Sequence, residues 1–148
     1  MEEKNKNQTV EKVMKMGLDC FKGNVMFTDA KGNILFANEY LLNLYNLTYD
    51  EATHMTSYDL VSRGILDKSA AVEALETKKV SIRRLTTSTG KELDSVGYPI
   101  FDENGNLTAV AAYSYDGAFI KELMREINNE KEKNKTIKHA LQYYMDEN

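Results

Sequence analysis

From Thr9 onward the apolar residues Val10, Val13, Met14, Leu18 and Phe21 recur every three or four positions, which is the spacing of one helical face. Gly17 falls in the same stripe and Gly23 follows it, so the pattern predicts a helix over about 9–22. Two short β-prone runs come next, Val25-Met26-Phe27-Thr28 and Ile34-Leu35-Phe36-Ala37. They are joined by Asp29-Ala30-Lys31-Gly32-Asn33, where Gly32 can take the positive φ of a tight turn, and this predicts a hairpin. Asn38 reads as the N-cap of a helix whose inner face is Leu41, Leu44 and Tyr45. Residues 46–66 have weak periodicity, with Asp50, Thr56, Asp59 and Gly64 placed to cap or stop very short helices. A helix over about 67–79 follows, with Ala71, Val72 and Leu75 on one face. Three strands are predicted after it, over 80–87, 91–101 and 107–115. The second of their two turns, Asp102-Glu103-Asn104-Gly105-Asn106, repeats the Asp-x-x-Gly-Asn pattern of 29–33.

The order β-β, several helices, β-β-β predicts an α+β architecture: a five-stranded antiparallel sheet with helices on one face and space for a cavity between them. Residues 117–148 read as one long helix. Ile120, Leu123, Ile127, Glu130, Asn134, Ile137, Leu141 and Tyr144 alternate by three and four, which is a coiled-coil seam. Within it Ile120, Leu123, Ile127, Asn134, Ile137 and Leu141 are the expected dimer and signalling positions, with polar Asn134 able to fix register. No Gly or Pro stops this helix, so the natural protein is expected to continue into a further domain. The expected division is an entry helix over 1–22, a core over 23–116 and an exit helix over 117–148.

Composition narrows the function. A length of 148 residues allows one domain with helical extensions, and 42% hydrophobic residues with a single Pro exclude a disordered chain. No apolar run approaches the roughly 18 residues of a membrane span, and the start lacks the apolar segment of a secretory signal, so a cytoplasmic protein without membrane contact is expected. The net charge of −4 concentrates in residues 17–116. No basic face is available for direct nucleic-acid contact. Phosphate-loop, nucleophile-elbow and His-Glu-x-x-His motifs are absent and Cys20, His54 and His139 lie far apart in sequence, so neither catalytic nor metal-ligating residues are expected. Cys20, beside Phe21, reads as a small buried hydrophobe.

Gly23 to Asp29, the Asp-x-x-Gly turn, Ile34 to Ala37 and Asn38 at a helix start are similar to the opening of a PAS sensor domain. Tyr98-Pro99-Ile100-Phe101 with the 102–106 turn, the next strand and Asp116 at the exit helix are similar to its close, although the family's Asp-Ile-Thr here reads Asp116-Gly117-Ala118. The chain thus resembles a PAS domain over about 23–116. Val61-Ser62-Arg63-Gly64-Ile65 through Leu75 to Ile82, and on to Pro99, looks like the PAS domains that precede the ATPase domain of bacterial sigma-54-dependent transcription activators. The resemblance implies a sensor that reports to an ATPase and a DNA-binding domain, while the exit-helix seam implies a homodimer and the space between sheet and helices a small-molecule ligand such as a carboxylate metabolite. A histidine kinase or cyclic-dinucleotide enzyme as the output, and a ligand-free dimerisation module, are the alternatives.

Parity on the first of the last three strands places Val80, Ile82, Arg84 and Thr86 on one face. Val80 and Ile82 make that face read as internal, so Arg84 needs a carboxylate ligand, a salt bridge to an acid such as Asp94 or Asp59, or a course that snorkels past the sheet edge. Ser95 and Gly97 share one strand face, and Ala111 and Tyr113 share another. Small residues there either leave a ligand cavity or let a helix pack closely. Tyr40, Tyr58 and Tyr113 are candidate ligand hydroxyls or amphipathic wall residues. Haem through His54 is not expected, because a lone loop His reads as a surface or turn residue. The photoactive flavin type needs an Asn-Cys-Arg-Phe-Leu-Gln motif that this chain lacks.

Overall fold

The computed structural model describes residues 2–147, and the side chains of all of these except 116–120, 123, 144 and 146–147. Two compact units meet at the 116/117 boundary. The first runs α1 (Glu2–Asp19), β1 (Asn24–Asp29), β2 (Ile34–Ala37), α2 (Glu39–Tyr45), α3 (Tyr49–Thr53), α4 (Ser57–Ser62), α5 (Ala70–Thr77), β3 (Ser81–Thr86), β4 (Glu92–Phe101) and β5 (Leu107–Asp116). The second is α6 (Gly117–Glu147). The fold is α+β, with one antiparallel sheet in the order β2-β1-β5-β4-β3.

Local chemistry sets these boundaries. In the β1–β2 turn, Asp29 Oδ1 accepts from the N–H groups of Lys31 and Asn33, both at 2.9 Å, and Gly32 adopts φ 91°. The β4–β5 turn repeats this, with Asp102 Oδ1 accepting from Asn104 and Asn106 at 2.9 Å and Gly105 at φ 79°. The short helices α3 and α4 both open in capping boxes, Thr48 with Glu51 and Thr56 with Asp59. Reciprocal capping compensates for helices too short to show a period.

The entry helix begins and ends earlier than its apolar stripe predicts. The N–H groups of Cys20 and Phe21 turn back to the carbonyls of Gly17 and Leu18, ending the helix in i→i+3 bonds before the chain reaches β1. Cys20 therefore lies beyond the helix and is exposed, contrary to the buried role read from its neighbours. Gly23 passes so close to β5 that a Cβ would meet the Ser114 carbonyl at 2.8 Å.

One sheet face carries the core. Met26, Leu85, Leu93, Val110 and Ala112 pack there with Leu41, Leu42 and Tyr45 of α2, Leu60 of α4, and Ala71, Ala74 and Leu75 of α5. Within α6, Ile127, Asn134, Ile137 and Leu141 are exposed, while the side chains of the other two seam positions, Ile120 and Leu123, lie outside the described residues.

Candidate functional site

Strand register lines up Asn24, Ser114, Ser95 and Arg83 across β1, β5, β4 and β3. The first three are buried, at 1%, 5% and 3% exposure. Ser114 Oγ donates to Ser95 Oγ at 2.9 Å, and Asn24 Nδ2 donates to the Tyr45 hydroxyl, brought in by the last turn of α2, at 3.2 Å. Burial pushes the Tyr45 pKa well above 10.0, against the opposing effect of the Asn24 bond, so the phenol stays neutral. Asn24 Oδ1 finds no donor among the described residues.

These groups border an internal cavity of about 10 Å³, whose other walls include Met26, Leu41, Leu60, Leu85 and Ala71. That is space for about one water molecule. Among the described residues, none that lines it is charged. The cavity is small because α5 turns an alanine face to the sheet, with Ala70, Ala71 and Ala74 all buried. The fourth member of the row leaves the interior: Arg83 forks onto Glu73 of α5, with Nε and one terminal nitrogen 2.5 and 2.6 Å from the two carboxylate oxygens. Hydrogen bonding from Arg83 is the main influence holding the Glu73 pKa below the usual range.

The predicted ligand residues are dispersed. Arg84 points to the other side of the sheet, where it is exposed and donates from Nε to Asp94 Oδ1 at 3.1 Å, directly across the ladder. The parity read from the sequence holds, but the face is reversed. Leu85, 2% exposed, marks the inside, whereas Ile82 stands 69% exposed on an edge strand. The same reversal applies on β5, where Val110, Ala112 and Ser114 face the core row and Ala111 and Tyr113 share the opposite face. Tyr113 packs edge-on to Tyr98 at 5.9 Å in an open groove of about 520 Å³ shared with Gly17, Leu18 and Phe21.

Of the remaining residues, Ser95 alone lines the internal cavity. Gly97 lies on the same face beneath α5. Tyr58 borders an open groove between α4 and α5, and Tyr40, half-buried on α2, is not among the cavity's lining residues. His54 is exposed at the end of α3, its Nδ1 2.7 Å from the Asp50 carbonyl. Among the described residues no three His, Cys, Asp or Glu side chains are grouped to hold a metal ion, and no helix is long and apolar enough to cross a membrane. Sequence reasoning missed Asn24 and Ser114. Their signal was the parity they share with Met26 and Ala112.

Asn38, fully buried, joins this interior to the entry helix. Its Oδ1 accepts from Val25 N–H at 3.0 Å and Leu41 N–H at 3.1 Å, and its Nδ2 donates to the carbonyls of Gly23 at 2.8 Å and Leu18 at 3.2 Å. Asp19 Oδ1 accepts from the adjacent Glu39 N–H at 3.0 Å. The end of α1, the start of β1 and the start of α2 thus share one polar joint.

No protein-family model matches the chain, and no curated protein matches it in sequence. Solved structures do match. The PAS domain of BvgS from Bordetella pertussis superposes with a TM-score of 0.58 at 17% identity, covering 86% of this chain and 98% of that one. A PAS domain from Colwellia psychrerythraea gives 0.53 at 18% identity over 72% of this chain and 96% of that one. The PAS domain of the fruit-fly ELK potassium channel gives 0.51 at 13% identity, over 72% and 95%. Identities this low establish the fold: the chain has the PAS architecture.

Proposed function

We propose that this chain is the sensory and regulatory PAS part of a larger signalling protein, a homodimer paired through α6 that passes the state of its core to an output domain. The observation that carries this reading is the set of exposed apolar side chains on α6, Ile127, Ile137 and Leu141, recurring at seam spacing with Asn134 between them. Such a stripe gains stability by pairing, and a polar seam residue sets register. Sigma-54-dependent transcription is the favoured output and rests on the resemblance through residues 61–82 and the Pro99 turn. We assign no catalytic step to this chain.

For the core, the cavity of about 10 Å³ favours a packed regulatory module over a carboxylate sensor. Among the described residues an anion placed there would have no charged partner, and Arg84 is engaged with Asp94 outside.

Sedimentation of the full chain tests pairing. Wild type should be a dimer, and the double substitution Ile137→Asp with Leu141→Asp a monomer with an unchanged thermal transition in the first unit; a wild-type monomer at high micromolar concentration would overturn the reading. Native mass spectrometry tests the core, with a ligand-free dimer expected. An organic acid retained by wild type and lost in Arg84→Ala would instead establish the metabolite sensor.

A further inference from the structure

We propose that the core holds one long-lived water molecule, anchored on Asn24 Oδ1. Asn24 is 1% exposed, so its carbonyl oxygen has lost bulk solvent without gaining a donor among the described residues. An orphaned buried acceptor costs about 1–3 kcal/mol, and native proteins relieve that cost with internal water where the site is polar and large enough. Both conditions are met. The cavity of about 10 Å³ matches one water, and it is bordered by further hydrogen-bonding groups with capacity to spare. The Tyr45 hydroxyl accepts from Asn24 Nδ2 and keeps its own proton to donate. The Ser95 hydroxyl accepts from Ser114 and likewise keeps its proton.

Reversal of the Asn24 amide leaves one of its two polar atoms unpartnered all the same. With Oδ1 placed at Tyr45, Nδ2 becomes the unpartnered atom and a water would accept from it instead. With no charged group among the described lining residues, the site suits a neutral molecule that both donates and accepts.

The test is the nuclear Overhauser effect between solvent water and the Asn24 side-chain amide in the full chain, backed by oxygen-17 relaxation dispersion to count long-lived waters. A cross-peak of bound-water sign is expected, together with one dispersing water that is lost in Asn24→Leu. In Tyr45→Phe, which keeps the packing, the residence time should fall several-fold. No cross-peak in wild type, or a dispersing water that persists unchanged in both variants, would overturn the assignment. Should Asn24→Leu not fold, the Tyr45→Phe comparison decides alone.

Discussion

Gly97 lies against the first turn of α5 so closely that a Cβ on it would sit 2.5 Å from the Ala70 carbonyl oxygen and 2.9 Å from its carbon. Both atoms are backbone, so the clash can be relieved only by moving α5 or β4. Gly97→Ala should therefore lose about 1–3 kcal/mol through overpacking, read as a lower urea midpoint with an unchanged slope. An unaltered midpoint would mean that α5 is free to shift.

Neighbouring residues on β3 should answer oppositely to truncation. Leu85→Ala removes a fully packed side chain and should cost about 2–5 kcal/mol, whereas Arg84→Ala breaks an exposed pair with Asp94 and should leave the thermal midpoint almost unchanged. Comparable losses in the two variants would place Arg84 in the interior after all.

Replacing Asn38 by Ala removes a helix cap worth about 1 kcal/mol and strands buried backbone groups at about 1–3 kcal/mol each. A total loss of about 3 kcal/mol is expected. Amide exchange of β1 and the first turn of α2 should accelerate together, because Asn38 bonds both. Acceleration confined to α2 would reduce Asn38 to an ordinary cap.

Acid should weaken the first unit through three carboxylates whose pKa values are lowered in the folded state, Asp29, Asp59 and Glu73. Hydrogen bonding from Arg83 lowers the Glu73 pKa below 4.5, and the Thr56 N–H is the leading influence that lowers that of Asp59 below 3.8. A depressed folded-state value gives stability that is present above the ordinary pKa and lost as pH falls through the folded one. Circular dichroism should show the unfolding midpoint declining below about pH 4.5, with a shallower decline in Glu73→Gln. Equal slopes would leave the Arg83–Glu73 pair without a role in acid stability.

Much of the fold was legible because its turns and caps are written locally. The two Asp-x-x-Gly-Asn turns, the Asn38 cap and every strand can be read from a few adjacent residues. The site was less so, for a reason visible on β3. Parity divides a strand into two faces but does not say which is inside, and on this edge strand Ile82 and Val80 argue for the face that is exposed. Only packing by α5 against Gly97 and Leu85 decides the question, and that is a long-range fact. Asn24 was overlooked for a related reason, since a lone polar residue at a strand start reads as a boundary until register sets it beside Ser114.

The repeated aspartate turns also bear on how the chain folds. Each closes a loop of a few residues with bonds that need nothing from the rest of the molecule, so the β1–β2 and β4–β5 hairpins carry little closure entropy. The pairing of β1 with β5 joins residues 24–29 to 109–114 and must bring together segments far apart along the chain. The sheet's long-range pairing is therefore concentrated in that central seam, and contact order leads to the expectation that β1–β5 pairing limits the folding rate more than either turn does.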